Sequence, residues 1–258
     1  MLSPTSAMSS NSPLPPGSAA GLTERIVFCI DVHTEMSEPL LAAPTTMPST
    51  TRLAATQRFI KAFIDAKRGL SLSSTNSTPG AGVSSDDSPI PPSPIQHEFA
   101  IVLLKNRAEW LMDFSADVHL LQVVLDGLVP LEPFPRFETR SLFETVQTNT
   151  ARLGVTMPRV ICIYGRSTVV PEECIVKIDA HVANPQMAFD FVYLHRRRTE
   201  QCDPQIIYDF LTRIESPKAP GYFFEVSKSS RRYLQAIVKL LANPKVRPKQ
   251  DDCNYRLL

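Results

Sequence analysis

Within the run Arg25 to Ser37, reading RIVFCIDVHTEMS, an apolar stretch gives way to Asp31, His33, Glu35 and Ser37. Two carboxylates and an imidazole at alternate positions are ligand types for a divalent cation. An extended backbone running on through them would point Asp31, His33 and Glu35 the same way. The competing expectation is a solvated acidic loop. The other histidines, His97, His119, His181 and His195, show no ligand spacing, and there is no Gly-x-Ser-x-Gly elbow, no His-Glu-x-x-His and no Cys-x-x-Cys. His33 and His195 are expected at one sheet edge, yet no serine or cysteine there has an activating base. The expectation is a protein with no catalytic residue and no cofactor.

These residues need a strand to deliver them. Arg25 to Asp31 is a buried strand by composition, and the carboxyl ends of parallel strands are where open α/β sheets bind ligands. Thr51 to Lys67 places Leu53, Thr56, Phe59, Ile60, Phe63 and Ile64 on one side of a covering helix. His97 to Leu104 and Glu109 to Phe114 predict an antiparallel hairpin at the sheet margin. A helix capped by Ser115 follows, with Leu120, Leu121, Val124, Leu125 and Leu128 as its apolar side. Another over Arg140 to Arg152 stops at Gly154.

Arg159 to Tyr164 and Phe189 to Leu194 are β-branched and aromatic strands with a short helix between them. Asp203 and Pro204 cap and open the next helix. Tyr222 to Val226 is a last strand, and Ser230 to Ala242 a last helix with Leu234, Ile237, Val238 and Leu241 inward. Strands alternating with helices predict a single α/β domain: a doubly wound, mainly parallel sheet with one antiparallel edge strand and helices on both faces. The first strand lacks the glycines of a dinucleotide site.

The chain has 258 residues, enough for one full-sized core. Its 27 basic and 26 acidic residues balance, which gives no support to direct nucleic-acid or membrane binding. Five scattered cysteines suggest a reducing compartment, and the first residues lack the features of a secretory signal, so a cytoplasmic and nuclear location is expected. Residues 1–22 and the insert 69–96 are rich in Ser, Pro, Gly and Thr and are expected to stay disordered. Ser88 and Ser93, each before a proline, are phosphorylation candidates, although a plain flexible insert is the simpler expectation. The folded unit is then 23–242, followed by a tail over 243–258.

The order of elements and the acidic loop after the first strand resemble a von Willebrand factor A domain. That family's metal site uses Asp-x-Ser-x-Ser after strand one, a threonine before the third helix and an aspartate after the fourth strand. Here Asp31 matches, His33 and Glu35 replace the serines, Thr139 corresponds to the threonine, and Gly165 stands where the aspartate belongs. Imidazole and a longer carboxylate arm in place of hydroxyls spoil ligand type and reach for magnesium, so the resemblance implies a degenerate site without metal.

Within that superfamily the chain resembles the A-domain scaffold subunit shared by the BRISC deubiquitinase and the nuclear breast-cancer-susceptibility-protein A complex. The segments that carry the likeness are RIVFCIDVHTEMS, HEFAIVLL with AEWL, SLFETVQ, FDFVYLH and the ending AIVKLLANPKVRPKQDDCNYRLL. The resemblance implies a non-catalytic scaffold of a deubiquitinase complex acting on polyubiquitin chains, with a nuclear form linked to DNA double-strand-break repair and checkpoint signalling. In that family a Pro-x-x-Arg element docks on the ubiquitin-fold-bearing core subunit, and the zinc-dependent deubiquitinase is reached indirectly. Pro244, Arg247 and Pro248 match that element, with Tyr255 and Leu257 as further apolar anchors. The Arg196 to Arg198 run is expected to be a solvated loop. The alternatives are an A-domain proteasomal ubiquitin receptor or a transcription and repair factor subunit. Neither the acidic helical motifs of the first nor the zinc cysteines of the second follow the last helix.

Overall fold

The computed structural model describes residues 23–40, 49–75, 96–155, 157–172, 187–200, 202–214, 221–227 and 230–252. Six strands form one sheet: β1 (Arg25–Asp31), β2 (Glu98–Leu104), β3 (Ala108–Ser115), β4 (Arg159–Tyr164), β5 (Ala188–Leu194) and β6 (Phe223–Val226). Their order is β3-β2-β1-β4-β5-β6. Every pairing is parallel except that of β2 with the edge strand β3. The five described helices are α1 (Arg52–Thr75), α2 (Val118–Asp126), α3 (Thr139–Arg152), α4 (Pro204–Thr212) and α5 (Ser230–Leu241). This is the doubly wound architecture expected from the alternation of elements.

The central strands are apolar along their whole length because both faces are covered. Ile26, Phe28 and Ile30 of β1 face one core with Phe59 and Phe63 of α1, Leu121 and Leu125 of α2 and Leu240 of α5. Val27 and Cys29 face the other, with Leu142, Phe143 and Val146 of α3 and Ile207, Phe210 and Leu211 of α4. Burying each such side chain contributes roughly 1.5–3 kcal/mol.

Several local expectations need correction. Asp117, not Ser115, caps α2: its carboxylate accepts from the amides of His119 (2.9 Å) and Leu120 (3.1 Å), while Ser115 Oγ accepts from the Asp117 amide. Leu120 lies 44% exposed, outside the buried Leu121 and Leu125 stripe. In α5 the inward residues are Tyr233, Ala236, Ile237, Leu240 and Leu241, so Ile237 and Leu241 pack as expected, whereas Leu234 and Val238 point to solvent at 60% and 59%. The α1 helix runs on to Thr75, into the segment expected to stay unpacked. Ser88, Ser93, Tyr255 and Leu257 lie outside the described residues, as does the stretch 173–186 between the two strands where a short helix was expected.

The end of α3 is built as read. Gly154 adopts φ 67° and donates to Ala151 O, while Val155 donates back to Thr150 O. That pair of bonds closes the helix and needs a left-handed residue. At the far margin, the open edge of β6 is met by the side chain of Gln250. Its Oε1 accepts from Phe223 N at 2.6 Å and its Nε2 donates to Phe223 O at 2.8 Å.

Candidate functional site

The carboxyl ends of β1 and β4 bring together the residues that sequence spacing singled out, in a different geometry. β1 stops at Asp31, and Thr34–Ser37 winds into a single 3-10 turn instead of continuing extended. Asp31, His33 and Glu35 therefore do not present a common row of ligands. Nor do they form a solvated loop, since they are 0%, 6% and 5% exposed.

Each has its own internal partner. Asp31 accepts from Arg166 Nε at 3.1 and 3.2 Å, from the Gly165 amide at 3.0 Å and from the His33 amide at 3.1 Å. Arg166 is itself fully buried. Its remaining donors reach the carbonyls of Arg136, Leu104 and Lys105 at 2.7–3.0 Å, and its guanidinium lies 5.5–5.6 Å from the rings of Phe134, Phe137 and Tyr164. A fixed cation supplied by the chain thus rests against Asp31, where the resemblance read from the sequence would place a metal.

His33 Nδ1 accepts from the Glu35 amide at 3.0 Å, leaving the proton of the neutral ring on Nε2. Burial holds its pKa below the ordinary histidine value against the pull of Asp31. Glu35 accepts from Ser167 N (2.9 Å), Thr168 Oγ1 (2.9 Å) and Arg52 Nη1 (3.3 Å). Burial works to raise its pKa, but these bonds and the nearby Arg196 outweigh it, and the carboxyl sits below its usual range. Arg52, the first residue of α1, is also buried and donates to Gly165 O at 2.6 Å, tying the helix to the β4 loop.

The residues present do not fit the octahedral cation of the fold family. Both Asp31 oxygens are engaged by nitrogen donors and the Glu35 oxygens are consumed, so the unpartnered Thr139 Oγ1 has no free carboxylate oxygen to share a cation with. At Gly165 a Cβ would lie 2.0 Å from Met36 Sδ, so the aspartate of the family pattern would have to displace the buried Met36 side chain. Among the described residues no cluster of three or more His, Cys, Asp or Glu could hold a metal.

An open cleft of about 510 Å³ lies above this rim, lined by His33, Glu35, Glu38, Phe134, Thr168 and Arg196 among others. Arg196 pairs with Glu38 and lies 3.7 Å from Glu35, and Arg198 pairs with Asp203 at 2.8 Å. The arginine run expected to be solvated is thus partly committed to ion pairs. His195 does not join His33; its ring contacts Arg196 O and Glu225 Oε1 and stacks on Tyr193.

The opposite end of the sheet holds a second buried charge cluster, which sequence reasoning missed. Lys67 pairs with Glu24 (2.5 Å), Arg159 lies 3.6 Å from Glu24 and 2.9 Å from Asp190, and Arg247 binds Asp190 in bidentate fashion. Burial alone would raise the Asp190 pKa, but Arg159 and Arg247 hold it low. The Arg247 guanidinium also sits 3.9 Å over the Tyr222 ring, and its side chain is 2% exposed. Tyr222 Oη donates to Pro248 O at 2.7 Å. Arg247, expected as part of the docking element, turns its guanidinium inward; it clamps the tail to β5 and leaves Lys245, Val246, Pro248 and Lys249 exposed around it.

No family model matches the chain. It is distantly homologous to "BRISC and BRCA1-A complex member 1": 25% identical to the human protein over 251 residues, covering 91% of this chain and 68% of the relative, and 26% identical to that of Xenopus laevis over the same shares. In fold it is similar to a D319A mutant of the PilB minor pilin from Streptococcus sanguinis (TM-score 0.55, 6% identity, 89% of this chain and 62% of that one). It is also similar to proximal thread matrix protein 1 from the mussel byssus (TM-score 0.52, 10% identity, 86% and 46%). No described helix is long and apolar enough to cross a membrane.

Proposed function

We propose that this chain is a non-catalytic scaffold subunit of an assembly like those in its relatives' name. In this reading it stabilises a deubiquitinase complex acting on polyubiquitin in the cytoplasm and nucleus, with the nuclear form serving DNA-break repair and checkpoint signalling. The observation that carries it is the buried Asp31–Arg166 pair: the place where this fold grips a cation is filled by a side chain of the protein itself. A rim so neutralised suits a rigid platform more than a reaction centre.

Distant similarity along 91% of the chain points to the kind of assembly. The tail after α5 is the docking element toward the ubiquitin-fold-bearing core subunit, and the zinc-dependent deubiquitinase is reached through that subunit. Arg247 acts as a positioning residue: by binding Asp190 it fixes the turn around Pro244 and Pro248, while Tyr255 and Leu257 add anchors beyond it. Pre-ordering the turn lowers the entropy cost of docking.

Affinity purification from native cells followed by mass spectrometry tests this reading. Co-purification of the core and deubiquitinase subunits, lost on truncation after Asn243, is the expected result. A partner list of proteasome or transcription-factor subunits, or cleavage of polyubiquitin by the purified chain alone, overturns it.

A further inference from the structure

Between Ser227 and Gln250 the sequence carries Lys228, Arg231, Arg232, Lys239, Lys245, Arg247 and Lys249 and not one acidic residue, in a chain whose charges otherwise nearly cancel. Arg247 is turned inward to Asp190. Arg232 is 58% exposed, with Glu225 3.9 Å from its guanidinium, and Lys245 and Lys249 are open to solvent. Through the middle of this basic stretch runs an apolar stripe. Leu234 and Val238, one turn apart, project from α5 at 60% and 59% exposure, and Val246, in the turn beyond the end of the helix, is 53% exposed. Between α5 and β6 lies a hollow of about 250 Å³ lined by Phe223, Phe224, Glu225, Arg232, Gln235 and Lys239.

We propose that the outer face of α5, with this hollow and the turn after it, is a docking surface for an acidic protein surface. Apolar side chains of the partner cover Leu234 and Val238, and its carboxylates meet Arg232, Lys239, Lys245 and Lys249. Charge complementarity selects this occupant. A second copy would bring like charges face to face, and a nucleic acid would leave Leu234 and Val238 in water. The inference deepens the proposed function, on which it rests, by assigning the core subunit's contact surface a chemistry: acidic, with an apolar centre.

The test uses the full chain, with Arg232→Glu/Lys239→Glu and Leu234→Ser/Val238→Ser as variants; all four side chains lie outside the packed stripe of α5. Three probes are titrated: the purified core subunit, a designed amphipathic peptide of Leu and Glu with its Leu and Lys counterpart as control, and phosphatidylserine vesicles. The core subunit should bind the wild type with a salt-weakened affinity and both variants at least ten-fold more weakly, and Arg232→Lys/Lys239→Arg should restore binding. The acidic peptide should bind with the same variant pattern.

Equal binding of the core subunit to wild type and variants overturns this inference and leaves the proposed function standing. Failure of the core subunit to bind the wild type overturns the proposed function, and the peptide arm then decides this inference: variant-sensitive binding of the acidic peptide alone supports it, and its absence refutes it. Variant-sensitive vesicle binding without peptide binding assigns the face to a membrane and refutes it as well.

Discussion

Replacing Arg166 by Met keeps a long, apolar side chain among Phe134, Phe137 and Tyr164 but removes the cation that faces Asp31. Asp31 is fully buried and would keep only the amides of Gly165 and His33, while the carbonyls of Leu104, Lys105 and Arg136 would lose a donor. Breaking a buried pair from one side costs about 3–5 kcal/mol. Against a typical folding stability of about 5–15 kcal/mol this is a large fraction. A domain of this size loses about 2–4 °C per kcal/mol, so the melting temperature should fall by roughly 6–20 °C. Asp31→Asn in the same chain removes the stranded charge. The double variant should therefore recover roughly 1–3 kcal/mol relative to the sum of the two single changes. Urea denaturation followed by circular dichroism measures all three variants. A loss under about 1 kcal/mol for Arg166→Met, or strict additivity in the double variant, would show that the pair does not hold the rim.

Gly165→Ala should destabilise by about 1–3 kcal/mol by overpacking against Met36, with Met36→Ala in the same chain recovering part of the loss in urea midpoints. Arg247→Ala should cost about 2 kcal/mol, since Asp190 keeps Arg159 and the Tyr222 amide; an unchanged thermal midpoint would mean that the clamp is not formed. The pH dependence has a defined sign. Burial lowers the pKa of His33 and His97 in the folded chain, so the unfolded chain binds protons more readily and stability should fall as pH drops below about 6.5. The depressed carboxyls of Glu35 and Asp190 add a second loss below about pH 4. Equal urea midpoints at neutral pH and one to two units lower would contradict the histidine part.

The sheet was legible because strands buried on both faces must be apolar throughout, and β1, β2, β4 and β5 are nearly so. Asp203 with Pro204 and the glycine at 154 marked helix ends by chemistry that few other residues supply. In α5 the apolar residues at 234, 237, 238 and 241 make a helical stripe by themselves, yet the packed stripe lies to one side of it. Ala236 allows close approach there, and the Tyr233 hydroxyl reaches Ala55 O at 2.6 Å.

The rim was half legible. Asp31 stood out, but its counter-charge lies 135 residues further on, and only the sheet's pairing of β1 with β4 brings the two together. Arg159 and Asp190, sitting in otherwise apolar strands, carried a signal of their own. A charge in a buried strand needs a partner, and two of opposite sign on neighbouring strands supply each other.

The side-chain amide of Gln250 offers Phe223 the same donor and acceptor that another strand's backbone would. At Phe223 the tail therefore occupies the open edge of β6 where another strand would pair. Any shortening of the chain before residue 250 bares the Phe223 amide and leaves its carbonyl only the 3.4 Å bond from Tyr208 Oη, opening a strand margin of the kind on which chains stack into insoluble assemblies. Solubility, as much as recognition, therefore depends on the tail.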